Sequence, residues 1–152
     1  MKPTYASRNP WTDRFNCPTV DRLAVGLPTA CGHLFKLSRR MLHDSGLRLE
    51  HVAWHGECWH WTIEFRPCAT ASPAALIIPA PENLQLAMPV TREFVQSLPL
   101  RRLKKAVREG IELASEPFDT QMAIWSIAST GLVSDLQDLL NRQARHLARK
   151  TG

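Results

Sequence analysis

The chain has 152 residues, a formal net charge of +5 and 44% apolar residues. These values fit one globular domain with a sizeable core and exclude disordered, collagen-like and coiled-coil chains. No apolar run reaches the roughly 18 residues that a membrane span needs, and the polar N-terminus lacks the apolar core of a signal peptide, so a cytoplasmic protein without membrane association is expected.

The first third of the chain predicts an arm and a helix. Residues 1–28 contain four prolines and no sustained hydrophobic period, which indicates an extended N-terminal arm, with a short turn at 19–25, before a single domain over 29–152. The first helix is predicted to begin at Thr29, as its N-cap, and to end at Ser45-Gly46. Its apolar residues recur at helical spacing: Leu34, Phe35, Leu37, Met41 and Leu42.

The next segment predicts a tryptophan-rich β-hairpin. Residues 50–55 and 58–65 flank Gly56-Glu57, and glycine at the first central position suits a two-residue type II′ turn. This turn pairs Trp54 with Trp59. Strand alternation then gives a core-like face of Val52, Trp54, Trp59, Trp61, Ile63 and Phe65, and a polar face of His51, His55, Cys58, His60, Thr62 and Glu64.

The rest of the chain adds three strands and three helices. The strands are predicted over 74–79, 83–88 and 121–128. Thr91 is expected to cap a short helix to about Ser97, and a second helix begins at Pro99 with a buried stripe of Leu100, Leu103, Val107 and Ile111. The last helix spans 132–148, with Leu132, Leu136, Leu139, Leu140 and Leu147 inward. Consecutive strands joined by tight turns predict an α+β fold, in which an antiparallel meander of about five strands packs in two layers against three to four helices.

Four segments of the chain resemble a group of small bacterial α+β proteins of unknown function, akin to YdhG-like proteins: EHVAWHGECWHWTIEF, AALIIPAPENLQLAM, LRRLKKAVREGI and QMAIWSIASTGLVSDLQDLLNRQ. The shared features are an aromatic hairpin, a strand that ends in proline before a second strand, and a C-terminal strand that runs into a helix with a DLxxLL pattern. Here Asp135-Leu136 and Leu139-Leu140 form that pattern. The resemblance covers roughly residues 10–147. It implies the fold and a bacterial source, and it implies no chemistry because the group has no agreed biochemical role.

The tryptophans are the first candidate for a binding site. Trp54, Trp59, Trp61 and Trp125 fill the core, line a pocket between the sheet and the helices, or do both; in a pocket their aromatic faces would bind flat rings or cations. Glu50, on the same face, would add a carboxylate for a cationic ligand. The leading hypothesis is therefore a non-enzymatic protein that binds a small apolar or cationic ligand, or a protein partner, through these five side chains.

The polar hairpin face leaves a second function open. His51, His55, Cys58 and His60 are of the residue types that bind zinc or copper, and a Cys58–histidine pair could act as nucleophile and base. This pattern would suit a metal- or thiol-dependent enzyme, whereas the simpler interpretation is a solvent-facing surface that is rich in histidine. No metal or catalytic residue is assigned on this evidence.

The basic residues leave a third function open. They could bind nucleic-acid phosphates or only form solvated helix faces, and nucleic acid is the less expected partner. One group is Arg101, Arg102, Lys104, Lys105 and Arg108; the other is Arg142, Arg145, His146, Arg149 and Lys150. The sequence has no nucleotide-binding or hydrolase motif and no CxxC pair, so no cofactor is assigned and the four cysteines are expected to be free thiols.

Overall fold

A computed structural model describes the backbone of residues 9–114 and 120–151, and the side chains of residues 9–114 and 122–146. The elements follow the order α1 (Val20–Val25), α2 (Thr29–Asp44), β1 (Leu49–Trp54), β2 (Trp61–Arg66), β3 (Ala75–Ala80), β4 (Asn83–Thr91), α3 (Arg92–Ser97), α4 (Lys105–Glu112), β5 (Thr120–Ser126) and α5 (Thr130–Thr151). The strands form one antiparallel sheet in chain order, which confirms the predicted α+β meander. The described residues contain no helix that is long and apolar enough to cross a membrane. Residues 1–8 of the predicted arm and the predicted inward side chain of Leu147 lie outside the described set.

The helices cover one face of the sheet and form the main core with it. The strand register aligns Val52, Ile63, Ile77, Leu86 and Trp125 across the five strands, so their side chains share that face. The buried helix residues that pack with this row include Phe35, Leu42, Phe94, Val107, Ile111, Leu136 and Leu139. Burial of this apolar surface is the main source of stability for the fold.

The bounds of α2 show where local sequence signals decide the structure. The helix begins at Thr29 as predicted, but its N-cap is Pro28, which makes no side-chain capping hydrogen bond. At the other end Gly46 takes a positive φ of 93°. The amide of Leu47 then donates to the carbonyl of Leu42 at 3.0 Å, and this left-handed glycine cap ends the helix as predicted.

The register of the β1–β2 hairpin differs from the prediction by two residues. Trp54 pairs with Trp61, not with Trp59, and Val52 pairs with Ile63. The connection is the loop over residues 55–60, not a two-residue turn. Because the shift is an even number, the predicted core face of both strands is retained, and Trp61, Ile63 and Phe65 are buried.

The geometry of this loop places Trp59 on the opposite face of the sheet. The amide of His55 donates to the carbonyl of His60, and the amide of His60 donates to the carbonyl of Gly56, each at 2.8 Å. His60 has a φ of 54°, and this left-handed residue interrupts the strand alternation before β2 begins. The prediction that Trp59 shares the face of Trp61 is therefore wrong. Trp59 packs with Trp11 and Met122 against a smaller apolar cluster of Leu76, Ile78 and Ala87.

The boundaries of β4 and α4 also differ from the prediction, and β5 ends at Ser126 instead of residue 128. β4 continues through Pro89 to Thr91. Pro89 is tolerated there because it lies beyond the residues of β4 that pair with β3, and at this position β4 pairs only with β5. The helix predicted from Pro99 is interrupted: a 3-10 turn at Leu100–Arg102 is followed by extended backbone at Leu103 and Lys104, and α4 begins at Lys105.

Candidate functional site

The four tryptophans of the predicted site do not share one surface. Trp61 and Trp125 are 8% and 4% exposed and belong to the main core. Trp54 is half-buried and packs edge-on against Trp61, with 5.4 Å between ring centroids, whereas Trp59 lies on the other side of the sheet. The structure brings together Trp54 and Trp61 and separates Trp59 from them.

The polar atoms of both buried indoles are bonded within the fold. Trp61 Nε1 donates to the carbonyl of Asp13 at 2.7 Å, and Trp125 Nε1 donates to the carbonyl of Val107 at 3.2 Å. A buried tryptophan with its N–H satisfied by a carbonyl is typical of a packed core. These two residues fill space and fix the N-terminal segment and α4 against the sheet.

Glu50 lies on the helix-facing side of β1, but its carboxylate is bound by side chains of α2. Arg39 donates to Glu50 Oε1 at 2.6 Å, and His43 Nε2 lies 3.1 Å from Glu50 Oε2. Burial opposes ionisation of Glu50, but the hydrogen bond and charge of Arg39, with a smaller effect of His43, hold its pKa below the ordinary value. Glu50 therefore joins α2 to β1 instead of presenting a free carboxylate to a cationic ligand.

This pair predicts an acid-sensitive contribution to stability. Because the pKa of Glu50 is lower in the folded than in the unfolded chain, the contribution is present above the unfolded-state pKa of about 4.3 and is lost as pH falls through the folded-state pKa. Glu50→Gln is expected to lower the free energy of unfolding near pH 7 by about 1 kcal/mol, and to weaken its dependence on pH in the acid range. Urea unfolding across that range measures both effects. The exposed Glu82→Gln should leave the dependence unchanged, and an acid dependence of Glu50→Gln equal to that of the parent chain would contradict the assignment.

The predicted histidine and cysteine group does not converge on one point. His60 lies between Trp11 and Trp54, with ring centroids 4.4 and 5.3 Å away, and its Nδ1 atom is buried without a hydrogen-bond partner among the described residues. Cys58 is exposed in the loop, and all four cysteines are free thiols. Within residues 9–114 and 122–146, no group of three or more Cys, His, Asp or Glu side chains is placed to hold a metal ion.

His55 contacts the carboxylate of Glu64 on the face of the sheet opposite the helices. Its Nε2 atom lies 2.9 Å from Glu64 Oε2, and Arg66 lies 2.8 Å from Glu64 Oε1. Glu64 could orient His55 as a base, as the thiol-enzyme hypothesis requires, but no contact joins His55 to Cys58 in the described structure. The cluster joins the loop over residues 55–60 to β2.

The basic side chains form two different surfaces. Those around the 3-10 turn and the start of α4 are exposed, except for the half-buried Arg108, and Lys105 and Arg108 face Glu109 and Glu112 at 3.8 Å on the same helix. Such exposed pairs are typical of a solvated helix face. The other group lies in the second half of α5, where Arg142, Arg145 and His146 border a cavity. The side chains of Arg149 and Lys150 lie outside the described set.

That cavity lies between α3 and α5 and has a volume of about 240 Å³. It is named the α3–α5 cavity below and is lined by Phe94, Ser97, Leu98, Arg142, Arg145 and His146. Spacings of three and four residues put the basic side chains on one side of α5. Sequence analysis had identified these three side chains only as a basic helix end, and it missed the apolar wall that α3 supplies.

Some polar groups of the α3–α5 cavity make hydrogen bonds within the protein, and one has no partner among the described residues. Arg142 Nε donates to Asp138 Oδ2 at 3.1 Å, which uses one of its five N–H donors. Ser97 Oγ donates to the carbonyl of Phe94 at 2.6 Å. His146 packs against Phe94 with ring centroids 5.3 Å apart, and its Nε2 atom is buried without a hydrogen-bond partner among the described residues. A buried polar atom without a hydrogen-bond partner is costly.

Gln143 fixes the α5 wall of the cavity to the sheet. Its side chain is 4% exposed, and Nε2 donates to the carbonyl of Pro89 at 2.6 Å. The residue sits between the basic side chains in sequence, and a short hydrogen bond from a buried amide holds its backbone in place. The donors that border the cavity are therefore mounted on a fixed element.

A second cavity of about 250 Å³ lies between α2 and the first half of α5. Its lining carries one acid and one base on α2, Asp44 and Arg40, among Leu37, Met41, Thr130, Val133, Ser134 and Gln137. None of the buried, unpaired polar atoms of the described residues belongs to this lining. Neither cavity is lined by a tryptophan.

The α3–α5 cavity is thus the described site that combines a concave shape, positive charge and an unsatisfied donor or acceptor. The resemblance to YdhG-like proteins stays a prediction. Comparison with models of known protein families, with curated proteins and with solved structures finds no match to this chain.

Proposed function

We propose that the protein is a non-enzymatic binding protein for a small anionic ligand, which it holds in the α3–α5 cavity. The observation that carries the proposal is a cavity of about 240 Å³ that is bordered by two guanidinium groups and by His146, whose Nε2 atom is buried without a hydrogen-bond partner among the described residues. The proposal keeps the small-ligand hypothesis drawn from the sequence. It changes the site from the tryptophans to the space between α3 and α5, and the ligand from cationic or apolar to anionic.

The donor set supports an anion. Arginine has only N–H donors, and its planar fork matches the oxygens of a carboxylate or phosphate. Asp138 forms an ion pair with Arg142 at 3.1 Å and offsets part of its charge, and the lining residues that the structure describes include no acidic side chain. An anion in the cavity therefore meets the charge of Arg145 and the remaining N–H donors of Arg142, with no carboxylate among the described lining residues.

The cavity size supports a small ligand, because a volume of about 240 Å³ lies below the range of about 300–1,000 Å³ that is usual for drug-sized molecules. Phe94 and Leu98 border the cavity on the side that α3 forms and are 2% and 9% exposed, so they close that side of the cavity.

The hydrogen bond that the Ser97 hydroxyl makes favours a binding role over a catalytic one. Ser97 Oγ donates its proton to the carbonyl of Phe94, at the end of its own helix, so no base holds it as an activated nucleophile. His146 faces Phe94 and has no carboxylate partner that would orient it as a base in the described structure.

Binding to this site is tested with a panel of small anions. Benzoate, inorganic phosphate and phenyl phosphate are expected to raise the melting temperature of the full chain, whereas benzylamine and indole should not. Replacement of Arg145 by alanine is expected to weaken anion binding about tenfold or more, because each charge-assisted hydrogen bond contributes about 1.5–3 kcal/mol. Isothermal titration calorimetry measures the dissociation constants.

The matched control is Arg101→Ala, which removes an equal charge from an exposed position outside the cavity lining. It should bind the anions as the parent chain does. Equal losses for Arg101→Ala and Arg145→Ala would show attraction by net charge and contradict the site. A melting temperature that responds only to benzylamine or indole would instead support the tryptophan hypothesis.

A further inference from the structure

We infer that the chain forms a symmetric dimer through β5, whose free edge pairs with β5 of a second copy. β5 lies at one margin of the sheet and has β4 as its only neighbouring strand. The dimer does not depend on the anion site, because none of the residues that line the α3–α5 cavity belongs to β5. Its support comes from the unpaired backbone groups of β5, from the side chains beside them and from the register in which two copies fit.

The backbone groups of Met122, Ile124 and Ser126 point away from β4. In an antiparallel pair, opposite residues alternate between pairs that exchange hydrogen bonds and pairs whose N–H and C=O groups point outward. The amide of Ile127 donates to the carbonyl of Leu84 at 2.8 Å, so residues 127 and 84 form a pair of the first kind. By alternation the residues at positions 126, 124 and 122 belong to pairs of the second kind.

The proline of β4 gives the same alternation independently. Pro89 lies opposite Met122 and has no N–H group, and its carbonyl accepts from Gln143 Nε2 at 2.6 Å. No hydrogen bond among the described residues uses the outward N–H and C=O groups at positions 122, 124 and 126. The edge of β5 therefore presents three donors and three acceptors to another strand.

β5 lacks the features that keep a free sheet edge from pairing. Such edges are usually very short, bulged, interrupted by proline or charged. β5 has seven residues without a charge or a proline, and its register with β4 is unbroken from Thr120 to Ser126. Ile124 lies on the face opposite the helices and is 37% exposed. A neutral strand of this length with an exposed isoleucine is a suitable template for another strand.

The other margin of the sheet is less suited to pairing. β1 contains Glu50 and the exposed His51, and the exposed Arg48 precedes it. Glu50 is also bound to Arg39 of α2. Charged and titratable side chains on an edge oppose the addition of an identical strand, because like groups would meet. Self-pairing is therefore expected at β5 and not at β1.

β5 fits a second copy of itself without a mismatch. When Ile124 of each copy lies on the two-fold axis, Met122 lies opposite the partner's Ser126. The outward groups at positions 122, 124 and 126 then bond those of the partner, and the two isoleucines form a β-branched cross-strand pair. This contact is isologous and closes at two copies, whereas pairing of β5 with β1 of another copy would continue into a filament.

Analytical ultracentrifugation of the full chain over a concentration series tests the dimer. The parent chain is expected to reach twice its mass of 17.2 kDa. Ile124→Lys should weaken the dimer about a hundredfold or more, because it places two like charges opposite each other at the axis. The partly exposed position allows the lysine to reach solvent in the monomer, and urea unfolding checks that the variant is folded.

The matched control is His51→Lys, which adds the same charge to an exposed position of β1. It should dimerise as the parent chain does. Hydrogen–deuterium exchange of the parent chain tests the same edge without any substitution. The amides of Met122 and Ile124 are expected to exchange more slowly as the concentration rises through dimer formation, whereas the amides of β1 should not change.

Three results would overturn the inference. One is a parent chain that keeps a mass of 17.2 kDa at every concentration up to about 1 mM. Another is a dimer that Ile124→Lys leaves unchanged or that His51→Lys dissociates, because the contact would then lie on another surface. The third is a dimer in which the amides of β5 exchange as fast as in the monomer. None of these results bears on the anion titrations, which report on a different part of the molecule.

Discussion

Replacing Gly110 by alanine is expected to lower the free energy of unfolding by about 3 kcal/mol. A Cβ atom added to Gly110 would overlap the indole nitrogen of Trp125, whose ring is 4% exposed and bonded to the carbonyl of Val107. The indole cannot retreat without breaking that hydrogen bond or displacing its core neighbours, and interiors are packed too densely to absorb the shift. The effect is measured by urea or thermal unfolding.

A helical glycine with free space around it gives the matched control. Gly32 lies in α2, and a Cβ atom added there meets no other atom within 4 Å. Alanine is the better helix former, so Gly32→Ala is expected to raise the free energy of unfolding by about 0.5–1 kcal/mol. Opposite signs for the two variants would show that contact with Trp125, and not helix propensity, requires glycine at position 110. Equal effects of the same sign would contradict this.

Local signals in the sequence were enough for much of the fold. Gly46 ends α2 through its backbone conformation, and Thr91 caps α3 by accepting from the amide of Phe94 at 3.1 Å. Both signals act within a few residues, so they can be identified without any knowledge of tertiary contacts. The order of β1 to β4 followed in the same way, because short connections join these neighbouring antiparallel strands.

The hairpin register depends on a contact that local signals do not contain. The backbone amide of Trp61 donates to the carbonyl of Trp11 at 3.3 Å, and Trp11 Nε1 donates to the carbonyl of Trp59 at 2.8 Å. The N-terminal segment therefore takes part in fixing the loop, and it stabilises the arrangement in which His60 is left-handed. A two-residue turn at Gly56-Glu57 satisfies the local pattern but would misplace the partners of Trp11.

Only the basic half of the α3–α5 cavity could be identified from the sequence, for the same reason. The basic residues of α5 stand out in the sequence, but Phe94 and Leu98 come from a helix that precedes β5. Their apolar character was explained equally well by core packing, and Phe94 is indeed buried. The tryptophans attracted attention because they are rare and large, yet the buried pair is bonded to carbonyls and packed within the main core. Residue type alone does not distinguish a filled core from an open pocket.

The role of Trp61 in joining the N-terminal segment to the sheet gives the second large effect. The indole donates to the carbonyl of Asp13, the backbone amide donates to the carbonyl of Trp11, and the ring packs against Trp54. Its side chain is 8% exposed, so truncation to alanine leaves a cavity as well as an unpaired carbonyl. Both losses fall at the point where the segment over residues 9–17 meets the hairpin.

Trp61→Ala is therefore expected to lower the free energy of unfolding by about 3–5 kcal/mol and to speed tryptic cleavage after Arg14 under native conditions. Trp61→Phe keeps most of the packing and loses the hydrogen bond to Asp13, so its cost should be smaller, at about 1–2 kcal/mol. Because Arg14 is exposed in both states, faster cleavage reports release of the surrounding backbone and not a change in the accessibility of that side chain. Anion binding at the distant α3–α5 cavity should survive in Trp61→Phe. If Trp61→Ala lost stability but Arg14 were cleaved at the parent rate, the tryptophan would be a core residue that does not anchor the N-terminal segment.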